Sequence, residues 1–130
     1  MDDDAFALRL NARVIENAGY EIVTATDGVE AMRVLLEHGA QIVVSDWMMP
    51  EMDGMELCRA IRTAESLGYI YFMVLTAQSE KGRLSEAFEA GVDDYLTKPF
   101  DRAELLARLR AGSRIVALEA GAASRNREVA

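Results

Sequence analysis

A chain of 130 residues with 51% apolar side chains has the length of one domain with one core and leaves little room for a second. Charged residues make up 28% and no apolar run approaches the roughly 18 residues of a membrane span, which argues against disorder and against a transmembrane helix. The 22 acidic residues against 14 basic ones give a net charge of −8, which repels phosphate backbones and anionic lipid, so neither direct nucleic-acid binding nor membrane association is expected.

A lone Cys58 cannot form an internal disulfide, and Met1-Asp2-Asp3-Asp4 lacks the basic and apolar regions of a signal peptide, so a cytoplasmic setting is expected. His38 and Cys58 are too few soft ligands for structural zinc. Any metal must then be hard and oxygen-seeking: Mg²⁺, Mn²⁺ or Ca²⁺.

In chain order, Phe6, Leu10, Val14 and Ala18 recur at a spacing of four and predict a helix over 5–18, stopped by Gly19. The β-branched run over 21–26 predicts a strand. Asp27 is placed to cap a helix that passes Ala31, Val34 and Leu35 to His38 and closes at Gly39. The apolar Ile42-Val43-Val44 is too short for a helix and suits a strand buried on both faces, delivering Asp46 at its carboxyl end. Trp47 to Gly54 carries Pro50 and Gly54 and reads as a loop, followed by a helix over 55–67 and a strand over 70–75 that ends at Thr76. Leu84, Ala87 and Phe88 mark a further helix, Tyr95 to Thr97 a short strand, and Pro99 precedes a helix from about Asp101. Alternating helices and buried strands imply a parallel sheet covered on both faces, with ligands outside the strands' carboxyl ends. Asp46, Thr76 and Lys98 all fall at such ends.

Gathered in one cleft, an acidic run, a strand-end Asp, a strand-end Thr and a Lys-Pro pair have a definite chemistry. Close carboxylates raise one another's pKa values, and a divalent cation with oxygen ligands relieves them. The cation, the Lys98 ammonium and the Thr76 hydroxyl could meet the oxygens of a phosphoryl group in transfer, leaving Asp46 as the nucleophile.

These pieces resemble the receiver domain of two-component response regulators, of the chemotaxis-regulator type. The matching residues are Asp2-Asp3-Asp4, Ser45-Asp46-Trp47-Met48-Met49-Pro50-Glu51-Met52-Asp53-Gly54, Leu75-Thr76-Ala77 and Lys98-Pro99-Phe100. The resemblance implies a flavodoxin-like, doubly wound α/β fold with a five-stranded parallel sheet of order 2-1-3-4-5. It implies that Asp46 is the phosphoacceptor, with Asp2, Asp3, Asp46 and the Met48 carbonyl around Mg²⁺, or Mn²⁺ in its place. It further implies that Lys98 is a phosphate partner, Thr76 and Tyr95 the switch residues, and Lys98-Pro99 a cis peptide. The function implied is a phosphorylation-dependent regulator and not a metabolic enzyme, served by a sensor histidine kinase or phosphotransfer protein.

Two departures stand out. Receiver domains carry an apolar strand immediately before the acidic pair, whereas only Met1 precedes Asp2 here. That strand is expected to be missing or truncated, which would expose the edges of its two neighbours. A mis-assigned start, a truncation and a strand supplied by another chain all fit. At the far end, the division expected is a receiver domain over 1–110 and an extended helix or coiled-coil linker over 111–130. Ile115, Leu118, Ala122 and Val129 fall at heptad a and d positions. This segment resembles linkers to diguanylate cyclase-type output domains, none of which is present, and it admits a homodimer.

Plainer readings apply to several residues. Asp2 to Asp4 alone would fit an acidic terminus, Cys58 a small buried hydrophobe, His38 a helix-dipole partner, and Met48, Met49 and Met52 loop and core filler. The function class that competes with the switch is a phosphorylation-independent pseudo-receiver acting as an interaction or dimerisation module. An Asp-x-Asp phosphatase is excluded by Met48 at the position of the second acid, and a flavodoxin-like electron carrier by the aspartates standing where a phosphate loop is needed.

Overall fold

The computed structural model describes residues 3–49 and 51–129, with only the backbone described for 3–7, 78, 80, 81 and 121–129. The elements run α1 (Asp3–Asn17), β1 (Ile22–Ala25), α2 (Gly28–His38), β2 (Ile42–Asp46), α3 (Gly54–Thr63), β3 (Tyr71–Thr76), α4 (Leu84–Ala90), β4 (Asp94–Thr97) and α5 (Arg102–Val129), with 3-10 turns at Glu65–Leu67 and Gln78–Arg83.

Side-chain alternation along the strands builds two cores. Val43, Phe72 and Val74 point to one face, where Leu35 of α2, Leu57 and Ile61 of α3 and Ala87 of α4 cover them. Ile42, Val44, Met73 and Leu75 point to the other, against Ile15 of α1 and Leu105 and Leu109 of α5. All six residues of β3 are buried, as a central strand of a doubly covered sheet must be. Each such side chain contributes about 2 kcal/mol through removal from water.

Local signals set the helix ends. The Asp27 carboxylate accepts from the Val29 and Glu30 amides, and Asp53 with Glu56 forms a reciprocal capping box at the start of α3. The helix expected over 55–67 stops earlier, at Thr63, whose hydroxyl donates back to the Arg59 and Ala60 carbonyls, competing with the ladder. The chain between α3 and β4 is fastened by Arg62, whose guanidinium donates to the carbonyls of Ile70 and Gly91 and to the Asp93 carboxylate.

The described residues hold four parallel strands in the order β1-β2-β3-β4, which agrees with a flavodoxin-like sheet lacking its first strand. Four strands are what a five-stranded sheet leaves without its first strand, but the structure corrects what the missing strand does to its neighbours. β1 and β2 do not present open edges to each other. They pair directly, Ile22 with Ile42 through Ala25 with Ser45. Backbone N–H and C=O groups left unpaired between two helical layers would each cost about 1–3 kcal/mol, and closing the gap satisfies them.

α5 runs unbroken for 28 residues, across the residue-110 boundary expected from the sequence. Its own Val116 is buried and Gly112 lies close against the Tyr71 ring, while Ile115 and Leu118 are exposed at 40% and 70%. No helix among the described residues is long and apolar enough to cross a membrane.

Cys58 is fully buried, its thiol donating to the Ala90 carbonyl at 3.4 Å, and burial pushes the thiol up to about 11. At pH 8 its thiolate fraction is then about one in a thousand. Iodoacetamide should leave the folded chain unmodified over an hour and label it fully in denaturant. Labelling of the native chain at a free-thiol rate would show that α3 parts readily from α4.

Candidate functional site

The parallel register brings three strand ends together. Asp46 ends β2 opposite Leu75, and Thr76 ends β3 opposite Thr97. The Trp47 amide donates to the Leu75 carbonyl and the Lys98 amide to the Thr76 carbonyl, so the strands stay paired up to the residues that matter. The Lys98–Pro99 peptide is cis. The Lys98 ammonium donates to Asp46 Oδ1 at 2.6 Å across 52 residues of sequence. The Asp46 and Lys98 side chains are 29% and 35% exposed, partly desolvated but open to a solute. The other Asp46 oxygen has no hydrogen-bond partner among the described residues.

Around the pair lies an open cavity of about 230 Å³, lined by Asp46, Trp47, Met48, Leu75, Ala77, Ser79 and Lys98. A larger depression, about 480 Å³, lies by Tyr20, Glu21 and Gly39 before β1 and after α2, but no cation is among its lining residues. The charge-paired cavity is therefore the functional candidate. Its floor depends on Gly54, whose amide donates to the Trp47 carbonyl at 2.7 Å. A Cβ there would stand 2.6 Å from the Asp46 carbonyl oxygen, so only glycine lets the start of α3 approach the end of β2 this closely.

The residues singled out from sequence divide unevenly. Asp46 and Lys98 meet, and Met48 is exposed on the rim at 68%. Thr76 reaches the same edge, but its hydroxyl is fully buried and hydrogen-bonded to Thr97 Oγ1 at 3.2 Å. Tyr95 is half-buried, its ring edge-on to Phe88 with centroids 6.1 Å apart. Asp2 lies outside the described residues, as does the Asp3 side chain. The Asp3 backbone forms the first residue of α1. Among the described residues there is no group of three or more His, Cys, Asp and Glu able to hold a metal. Of the four donors the resemblance implies, Asp46 and the Met48 carbonyl lie among the described residues, and an all-oxygen set of that kind would suit Mg²⁺.

Sequence reasoning missed Ser79, on the cavity rim, and Arg83, whose guanidinium lies 4.8 Å from the centroid of the Trp47 ring. Both follow Thr76 in a segment with no hydrophobic period, so no pattern pointed to them.

Fold and site together define a domain of the doubly wound α/β class with an ion-paired cavity at the carboxyl edge of its sheet. The model of the response regulator receiver domain matches residues 1–110, and the chain belongs to that family. It is 37% identical over 111 residues to the phosphate regulon transcriptional regulatory protein PhoB of Pseudomonas aeruginosa, covering 85% of this chain and 48% of that protein. The chain spans about half the length of the curated relatives it matches. Among solved structures, the chemotaxis response regulator CheY4 of Vibrio cholerae matches with a TM-score of 0.69 and 30% identity, over 85% of this chain and 92% of that one. The receiver domain of a Pseudomonas aeruginosa sensor histidine kinase, solved with magnesium in its active site cleft, matches with a TM-score of 0.65 and 28% identity, over 90% and 93%. The protein is thus a two-component receiver domain, a component of phosphorelay signalling.

Proposed function

We propose that this receiver accepts a phosphoryl group on Asp46 from the phosphohistidine of a sensor histidine kinase or phosphotransfer protein. The observation that carries this reading is the Lys98–Asp46 contact at 2.6 Å, in a cavity open to a solute and roofed by no other side-chain charge among its described lining residues. In the transfer, an Asp46 carboxylate oxygen forms the new O–P bond in line as the P–N bond breaks, and the donor histidine nitrogen keeps the electron pair. Lys98, already beside Oδ1, moves its ammonium from the carboxylate to the phosphoryl oxygens. Thr76 would exchange its bond to Thr97 for one to the phosphoryl group, and Tyr95 would change its packing on Phe88. Asp2, Asp3, Asp46 and the Met48 carbonyl would hold Mg²⁺ (or Mn²⁺), which when bound supplies charge neutralisation for the carboxylates and the phosphoryl oxygens.

The consumer of the signal is a partner or output domain reached through α5. Ile115 and Leu118, at heptad positions and exposed, offer a seam for a second copy. In this reading residues 1–110 act as the receiver, residues 111–130 as the linker helix, and the setting is the cytoplasm.

Intact mass after incubation with Mg²⁺ and acetyl phosphate tests the reading. A gain of about 80 Da, one phosphoryl group, is expected for this chain and not for Asp46→Asn. No gain in a folded sample would overturn it in favour of a phosphorylation-independent interaction module.

A further inference from the structure

The start of α4 is tied to the residue after Asp46 by one side chain. Arg83 stands at the N-cap position of α4, and among the described residues no side chain caps that end. Arg83 instead donates from Nε and Nη2 to the two Glu86 oxygens, each at 3.0 Å, and lays the same guanidinium over the Trp47 ring. Trp47 is 1% exposed, and its indole N–H has no partner among the described residues. A buried donor left unpaired calls for an explanation, and a ring held by a shared cation, with its own N–H unsatisfied, has reason to adopt a second position.

We propose that Arg83 is a charge-sensing latch, coupling the charge at Asp46 to the first turn of α4 through its stack on Trp47. The inference deepens the phosphoacceptor reading and rests on it for the signal that works the latch. The ring's negative face and the Glu86 carboxylate both attract the guanidinium. Asp46 directly precedes Trp47 in the chain, so the ring under the guanidinium belongs to the residue next to the charge. A phosphoryl group adds negative charge there and draws the guanidinium inward, whereas removing the Asp46 charge releases it toward Glu86. With no capping side chain among the described residues to hold it, the first turn of α4 follows Arg83. The next turn carries Phe88, exposed at 48% and packed on Tyr95, so the movement reaches a solvent-facing aromatic pair. This route does not pass through Thr76, whose hydroxyl is held by Thr97.

Trp47 is the only tryptophan in the chain, so emission and acrylamide quenching read it alone. The first arm needs no phosphoryl group. Asp46→Asn is made in the parent chain, in Arg83→Met, which keeps an apolar stem, and in Arg83→Lys, which keeps the charge. Asp46→Asn should shift Trp47 emission in the parent, about threefold less in the Arg83→Met background, and nearly fully in Arg83→Lys. Plain packing by Arg83 would move the starting emission of Arg83→Met and leave the Asp46→Asn shift unchanged. That outcome, or no shift in the parent, overturns the latch. The second arm adds Mg²⁺ and acetyl phosphate and follows mass beside emission. Equal mass gain with a reduced emission change in Arg83→Met supports the latch, and equal emission changes overturn it. Absence of mass gain in the parent removes the phosphoacceptor reading, while the first arm still decides whether Arg83 senses the charge.

Discussion

Lys98→Gln is expected to slow phosphoryl uptake at Asp46 by about 100-fold, since loss of one preorganised donor to developing charge typically costs 10²–10³ in rate. The lower end applies because the Lys98 side chain is 35% exposed, and water partly replaces the lost ammonium. Stability should hardly change. A partly exposed ion pair of this kind is worth about 0–1 kcal/mol, and glutamine keeps most of the stem's packing. Initial rates of mass gain with Mg²⁺ and acetyl phosphate, beside thermal melts, separate the two quantities. An unchanged rate would show that Lys98 only neutralises the resting carboxylate and takes no part in transfer.

Gly54→Ala should destabilise the fold markedly. The added Cβ would meet the Asp46 carbonyl oxygen at 2.6 Å and the Trp47 Cα at 3.1 Å. Both are backbone atoms that cannot rotate away, so the start of α3 must withdraw. Overpacking of this type costs about 1–3 kcal/mol, and the upper half of that range is expected because the Gly54 amide would also loosen its 2.7 Å bond to the Trp47 carbonyl. For a domain of this size a drop in Tm of about 10 °C follows. The same withdrawal lifts the loop that carries Met48 and Trp47 away from Asp46, so Trp47 emission should shift in the folded variant. A melt within 2 °C of the parent, roughly the effect of 0.5 kcal/mol, would show that the loop can give way without cost.

Much of this was legible in the chain. The β-branched and apolar run Ile42-Val43-Val44 could only be a buried strand, and a strand that ends on an aspartate delivers it to the ligand-binding edge of a parallel sheet. Asp27 announces a helix start because capping is local chemistry, decided within three residues; the Asp53/Glu56 box is equally local, but it was recognised only in the structure. The end of α3 was less readable. Thr63 terminates it by bonding back to the preceding turn, an outcome that depends on a rotamer and leaves no mark in hydrophobic periodicity.

By itself, then, the sequence determined the alternation of helices and strands, the identity of the charged residues at the strand ends and the family they resemble, because period, capping and strand length are set by neighbours along the chain. Only the tertiary structure decided that β1 closes directly on β2, that the Thr76 hydroxyl is taken up by Thr97 while Lys98 reaches Asp46, and that Arg83 lies on Trp47. Each of these is a contest between partners distant in sequence for the same backbone edge, hydroxyl or charge. Such contests are resolved by packing and desolvation in three dimensions, where the chain's local preferences no longer choose among them.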